Sequence, residues 1–283
     1  MVYLLFNPKA NNNHAEEDLK DFPGTFKGQD VTRINVFEIG DYKGFAAGLN
    51  PDDIIILAGG DGTLHHFVNV IHDIEFSNDV YMYGLGTGND FLNDIGMKGV
   101  KEPVLITQYI KNLPVVIIDG KETRFINGIG FGIDGFCCEE GDKHRAKSDK
   151  PVNYTAIAIK GMLYKYKFRN ATITVDGVTR TFKKVTLAPS MFGRFYGGGM
   201  MVCPGQDRLN EERMLTNAVV SDLGRLHVLY CFPKIFDGTH VKFKKFIKFF
   251  RGHEITVEFD VPCALQIDGE TVLNVKKYTA RYE

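Results

Sequence analysis

Tryptophan is absent from this 283-residue chain, and no apolar run approaches the roughly 18 residues of a helical membrane span. The start comes nearest, but Asn7-Pro8 ends Val2-Tyr3-Leu4-Leu5-Phe6 short of the roughly 7–15 residues of a signal core. That segment reads as a first buried strand, and the expectation is a soluble, cytoplasmic protein. Net charge is missing too. A formal balance of −1 gives no whole-molecule attraction to nucleic acid or anionic lipid, so any pull toward a membrane has to come from a local patch. The five cysteines (Cys137, Cys138, Cys203, Cys231, Cys263) lack metal-ligand spacing and are odd in number, which fits a reducing compartment better than a disulfide framework. Internal repeats and low-complexity tracts are also lacking.

What is present is a hydrophobic content of 44%, with 22 Phe and 12 Tyr supplying the aromatic bulk, enough for two domains of ordinary size. Glycine is enriched at 30 residues, much of it in loops that follow apolar strands. The most informative of these loops is Gly59-Gly60-Asp61-Gly62-Thr63, between the buried-strand run Ile54-Ile55-Ile56-Leu57 and a helix-like stretch from Leu64 to Ile71. A strand that ends in a glycine-rich turn and opens a helix aims backbone N–H groups and a helix N-terminus at one space, which suits an anion. Asp61 would repel a bare phosphate, and it makes sense if a divalent cation lies between carboxylate and phosphate oxygens. Thr63 also reads as an ordinary N-cap, and both roles are compatible. On its own the pattern is equally a tight strand-to-helix turn.

A second loop of the same kind, Gly86-Thr87-Gly88-Asn89-Asp90-Phe91, follows the strand-like Val80–Leu85. Together the two loops resemble the diacylglycerol kinase catalytic domain family of lipid kinases, related to the sphingosine kinases and NAD kinases. Later segments agree in the family's order: Asn127-Gly128-Ile129-Gly130-Phe131-Gly132, Gly197-Gly198-Gly199-Met200 and Gln266-Ile267-Asp268-Gly269-Glu270. The resemblance implies ATP and Mg2+ as cofactors, with Asn7, Gly59, Gly60, Asp61, Gly62, Thr63, Gly86, Thr87, Gly88 and Asn89 around the nucleotide. It implies Asp268 as general base and Glu270 as support for the metal, with Asp61 and Glu270 nearest the magnesium. Read without it, Asp268-Gly269 is a hairpin turn, as Asp176-Gly177 is, and Asp90 is equally a first-turn acid facing its helix dipole.

The strand rhythm implies an α/β domain with a mostly parallel sheet over residues 1–118. Its strands are Val2–Phe6, Val31–Phe37, Ile54–Leu57 and Val80–Leu85. In residues 119–283 the runs at 171–175, 178–182, 184–188, 215–220, 255–259, 264–267 and 271–275 imply an antiparallel β domain, interrupted by one helix-like stretch, Tyr154–Tyr166. The resemblance implies a β-sandwich there, an active site in the inter-domain cleft, and last residues that return to the first domain. Two departures stand out. The chain stops 13 residues after Glu270, and the loop Pro204–Arg213, acidic in the family where it holds a structural magnesium, here carries Arg208 and Arg213. The segment Val241–Arg251 interleaves lysines with phenylalanines and reads either as a basic amphipathic helix for a membrane surface or as core with a solvated face.

The expected function is an ATP-dependent lipid kinase of phospholipid metabolism acting on a lipid hydroxyl such as diacylglycerol, peripheral to the inner membrane face. A homodimer stays open, and nucleic acid is not an expected partner. The alternatives are an NAD kinase-like small-molecule kinase and a catalytically degenerate nucleotide- or lipid-binding protein, the latter favoured by the altered 204–213 loop.

Overall fold

The computed structural model describes residues 1–74, 77–85, 89–148 and 152–283, excepting the side chain of Asn12. The expected nucleotide residues Gly86, Thr87 and Gly88 lie outside the described residues. The chain divides into two compact units, Met1–Asn112 and Leu113–Glu283.

In the first unit the strands are β1 (Val2–Phe6), β2 (Thr25–Phe26), β3 (Gln29–Asn35), β4 (Ile54–Gly59), β5 (Asp79–Gly84) and β6 (Val104–Leu105), ordered β2-β3-β1-β4-β5-β6. The four inner strands run parallel, and the outer two pair antiparallel. Every residue of β4 is buried, as a central strand covered on both faces requires, which explains the unbroken Ile-Ile-Ile-Leu run. Val2, Leu4, Ile54, Ile56 and Ala58 form a core with Ala15, Leu19 and Phe22. From β1 the chain moves out to β3 and then back past β1 to β4. The sheet order therefore reverses between β1 and β4, and the crevice beyond their carboxyl ends is where such sheets take ligands. Asn7 and Gly59 end those two strands.

The second unit is antiparallel throughout. Its strands are β7 (Val115–Ile118), β8 (Lys121–Arg124), β9 (Gly128–Gly132), β10 (Arg169–Val175), β11 (Val178–Val185), β12 (Leu187–Met191), β13 (Phe195–Tyr196), β14 (Met200–Met201), β15 (Leu215–Val220), β16 (Ile247–Gly252), β17 (Glu254–Ile267) and β18 (Glu270–Arg281). The 14-residue β17 changes register between Glu258 and Leu265. Its first half pairs with β10 and its last residues with β9, so one strand links two parts of a sandwich-like sheet. Phe131 packs between Phe259 and Tyr278, with ring centroids 4.8 and 5.3 Å away, at the centre of that core.

Both Asp-Gly turns form as expected: Val175 pairs with Val178, and Ile267 with Glu270. Positive φ at Asp176 (45°), Gly177 (81°), Asp268 (49°) and Gly269 (94°) fits type I′ geometry. Val115–Ile118, counted with the first domain from the sequence, pairs instead with β18 and β8 of the second unit. The final strand β18 stays in that unit's sheet through Arg281. Residues 154–166 form a helix only to Lys160 and continue as a π-helical turn, Gly161–Lys165. In the 241–251 segment β16 covers Ile247–Gly252, and Phe243, Phe246 and Phe249 pack on the core while Lys244, Lys245 and Lys248 face outward. The core-with-solvated-face reading therefore describes this segment. A 13-residue helix, Ile133–Arg145, was not expected at all.

The entry to that helix generates a test. Gly132 has φ 127°, and a Cβ there would collide with the Thr186 backbone. Gly177 also has positive φ but opens onto empty space. Gly177→Ala should cost about 1–2 kcal/mol for backbone conformation alone, whereas Gly132→Ala should cost roughly 3 kcal/mol or more. Urea unfolding of both variants checks the ranking.

Candidate functional site

At the carboxyl edge of the first sheet, register brings three strand ends side by side. Phe6 of β1 lies beside Ala58 of β4, and Gly59 beside Gly84 of β5. Asn7 donates its backbone N–H to the Ala58 carbonyl, while its side-chain Oδ1 accepts from Lys9 N at 2.9 Å. Gly60 caps the helix Asp61–Val70, whose first turn holds Asp61, Gly62 and Thr63. Gly59 must be glycine for a packing reason: a Cβ there would collide with the Thr63 side chain, which folds back over it and is buried. Asn89 lies against both loops, because a Cβ on Gly60 or Gly84 would sit 3.4 or 3.2 Å from its amide.

Asp61 makes the decisive contact of this edge. Its Oδ2 accepts from Asp90 N at 2.7 Å and its Oδ1 from Phe91 N at 3.0 Å, the first two N–H groups of the helix Asp90–Asp94. One carboxylate thus spans the glycine loop and the start of the second helix, supplying the charge that helix N-terminus favours. The structure therefore brings together Asn7, Gly59, Gly60, Asp61, Gly62, Thr63 and Asn89.

In the second unit, Asp268 occupies the turn between β17 and β18 and is half-buried. Its Oδ2 accepts from Ile126 N at 2.7 Å, and its Oδ1 from Asn127 N and Gly128 N at 2.8 and 3.0 Å. Asp268 N in turn donates to the Gly128 carbonyl. The Asn127–Gly132 and Gln266–Glu270 segments are thereby joined as neighbours, as β9 and β17 already pair through Ile129 and Ile267. Glu270, two residues on, is exposed at the start of β18.

Comparison with known proteins agrees with this architecture. A family model described as the YegS C-terminal NAD kinase beta sandwich-like domain matches residues 127–279, and one described as the diacylglycerol kinase catalytic domain matches residues 1–117. The chain belongs to the diacylglycerol kinase catalytic domain family of lipid kinases. It is 26% identical over 206 residues to a protein of Mycobacterium tuberculosis (strain ATCC 25618 / H37Rv) named diacylglycerol kinase, covering 70% of this chain and 64% of that one. The chain thus spans somewhat less than two thirds of that relative's length. It is 25% identical over 284 residues to a Stenotrophomonas maltophilia (strain K279a) protein named "Probable lipid kinase YegS-like", covering 95% and 89%. A crystal structure from Bacillus anthracis str. Sterne, provisionally named a diacylglycerol kinase, has the same fold, with a TM-score of 0.69, 21% identity and coverage of 99% and 92%. Among the described residues, no helix is long and apolar enough to cross a membrane.

The family's structural magnesium does not fit the loop that would hold it. The side chains of Asp207, Glu211 and Glu212 face outward, while the buried cation is Arg208. Its Nη1 donates to the Ile126 carbonyl at 3.0 Å and its Nη2 to Asn127 Oδ1 at 3.2 Å, with the guanidinium 5.3 Å over the Phe192 ring. Gln206 and Asn210 close the loop on the Met214 carbonyl. Among the described residues, no three His, Cys, Asp or Glu cluster as a metal site. A cation shared with phosphate oxygens needs fewer protein ligands than that, since Mg2+ commonly keeps waters and takes one or two carboxylates.

One residue absent from the expected site stands out. Asp134 is buried in the first turn of the helix after β9, with Oδ1 accepting from Gly135 N at 2.9 Å and the Tyr196 hydroxyl 3.4 Å from Oδ2. Burial pushes its carboxyl up to about 6, against the opposing pull of these hydrogen bonds. The signal was there to read: Gly132-Ile133-Asp134-Gly135 repeats the strand, glycine, first-turn aspartate order of residues 54–61. An unfolded aspartate titrates near 3.9, so the folded state holds this proton more tightly and loses stability as pH rises from about 4 to about 6. Above that window the buried carboxylate costs about 3 kcal/mol. Asp134→Asn should therefore gain stability relative to the parent across the same window and then level off. Urea unfolding of both proteins at stepped pH reads this directly, and a pH-independent difference would assign the effect elsewhere.

Proposed function

We propose that this protein transfers the γ-phosphoryl group of ATP to the hydroxyl of a lipid, diacylglycerol first, at the cytoplasmic face of a membrane. The observation that carries the reading is the Asp61 carboxylate tying the glycine-rich loop 59–63 to the start of the helix Asp90–Asp94, beyond the switch point of a parallel sheet. The names of the relatives support the acceptor class. Phosphoryl transfer asks chiefly for positioning and for neutralisation of oxygen charge, which backbone N–H groups and fixed dipoles supply.

Bound magnesium would supply neutralisation of phosphate oxygens, and the carboxylates that would hold it are Asp61 of the first unit and Glu270 of the second. The helix Asp61–Val70 turns its N-terminal end to this edge, and the dipole of a helix start favours phosphate. Asn7, Thr63 and Asn89 line the same edge with neutral side chains, and Gly60 and Gly62 keep backbone accessible. In the second unit the three backbone N–H bonds hold the Asp268 carboxylate in one orientation. We assign Asp268 to accept the acceptor's proton as general base, and Glu270, on the exposed side of the turn, to support the metal. A carboxylate acting late, as the oxygen bonds to phosphorus, contributes roughly 10²–10⁴-fold.

A second reading, a nucleotide- or lipid-binding protein without turnover, is favoured by one feature, the arginine in the loop where relatives of the resembled family bind metal. Transfer of labelled phosphate from ATP, offered diacylglycerol, a total lipid extract and NAD in parallel, separates these. Label in a lipid product is expected. Label only in NAD identifies the NAD kinase-like alternative, and ATP binding with no labelled product supports the second reading. Asp268→Asn and Glu270→Gln should each lower transfer about 100-fold or more. Glu270→Gln should keep the parent's thermal midpoint. Asp268→Asn sets an amide N–H against backbone N–H groups and should lose about 1–3 kcal/mol, so its rate is read at a temperature where circular dichroism shows it folded. Parent-like rates in both would remove the assignment.

A further inference from the structure

We propose that the second unit carries its own docking surface for an anionic lipid bilayer, built from residues 154–168 and 224–251. The proposal deepens the lipid-kinase reading, on which it rests for the identity of the partner as a lipid surface. Its first ground is charge. These two segments hold ten Lys and Arg residues against a single carboxylate, Asp237, in a chain whose formal net charge is −1. The remainder of the chain is therefore acidic, and the positive charge is concentrated here. Lys165 is paired with Glu140 at 3.1 Å and Arg251 with Glu212 at 3.5 Å. Lys160, Lys242, Lys244, Lys245 and Lys248 are exposed.

The second ground is apolar exposure in the same segments. Tyr164 is 78% exposed, Leu226 76% and Tyr230 63%, with Ile159 and Phe236 also on the surface. Leu226 and Tyr230 stand four residues apart on the helix Arg225–Cys231, whose opposite side buries Val228 and Cys231, so the two side chains form one outward stripe. Arg225 joins the segments by donating to the carbonyls of Met162 at 2.6 Å and Tyr166 at 2.9 Å. From Tyr230 the surface continues to Lys234, whose Nζ lies 4.9 Å over the Tyr230 ring, and to Phe243, edge-on at 6.2 Å between Lys242 and Lys244.

Large apolar side chains ringed by lysines match a membrane interface. The rings and leucine enter the headgroup boundary while ammonium groups stay with anionic headgroups. Each lysine near such a surface strengthens binding about fivefold, and salt screens that part. The amphipathic helix considered for 241–251 is replaced by a composite surface. The 241–251 lysines supply its charge, and the 159–164 and 226–236 segments supply its apolar contact.

Flotation with vesicles tests this on the full chain. Binding is expected to vesicles of phosphatidylcholine mixed with phosphatidylglycerol, to fall steeply with salt, and to be weak on phosphatidylcholine alone. The pair Leu226→Glu with Tyr230→Glu, and separately Lys242→Glu with Lys244→Glu and Lys245→Glu, should each reduce binding at least tenfold, with circular dichroism and thermal midpoint as fold controls. Both sets should still support transfer to a short-chain acceptor dispersed in detergent. Parent-like flotation by both sets, or equal binding to neutral vesicles, overturns the proposal. So does a dimer in gel filtration that the Leu226 and Tyr230 changes dissociate with flotation unaltered. Flotation without any transfer activity leaves the docking surface standing and removes only the kinase reading. Transfer in detergent without parent flotation does the reverse.

Discussion

A carboxylate set in a turn and spent on the backbone N–H groups of a distant segment is the interaction on which this molecule depends. Asp61 accepts from Asp90 and Phe91, and Asp268 from Ile126, Asn127 and Gly128. Asp176 does the same for His253 and Glu254. In each case the acceptor sits in the turn that follows a strand, and the donors lie at or just before the start of a different element. Charge-assisted bonds of this kind are stronger than neutral ones, and they convert a chain crossing into a fixed angle. Two of the three involve candidate functional residues, one in each unit, and the third lies in a turn with no assigned chemistry. The device itself is therefore structural, and the site makes use of the rigidity it confers.

That reuse explains which parts of the molecule were legible in the sequence. Ile54-Ile55-Ile56-Leu57 announces a strand buried on both faces, and the glycines after it announce the turn into a helix. The two Asp-Gly hairpins follow from the backbone angles that only a few residue types adopt. The helix Ile133–Arg145 has the same glycine-aspartate entry but no apolar period behind it, and the reason is visible in its packing. Its buried residues are Ile133, Asp134, Gly135, Cys137 and Gly141, with glycines at two positions where leucines would mark a helical period. A Cβ on Gly135 would meet the backbone of Ala264, and one on Gly141 would meet the Tyr154 ring. A helix that approaches its sheet through glycine leaves no apolar period to find.

The candidate site was legible in kind and less so in detail. Five glycine- or aspartate-centred segments pointed to the family. The structure ties Gly59–Thr63 to the start of the helix Asp90–Asp94 in the first unit and joins Asn127–Gly132 to Gln266–Glu270 in the second. The double duty of Asp61 and Asp268 as ties for backbone N–H groups could not be read from spacing, because their partners lie 29 to 142 residues away. Asp134 escaped for a related reason: a single carboxylate says nothing about its burial until Tyr196 and Gln266 are known to surround it. Composition did register the basic, aromatic 241–251 segment, yet its neighbours on the surface come from helices whose sequences, read alone, are unremarkable.

The arginine in the 204–214 loop has a consequence for how that region behaves in solution. A metal ion held by carboxylates is exchangeable, and a chelator or a change in cation supply can withdraw it. The Arg208 guanidinium is part of the chain and keeps its charge across the whole working pH range. Its grip on the Ile126 carbonyl and the Asn127 side chain is always present, so the peptide units that orient Asp268 stay in place whatever divalent ions the medium contains.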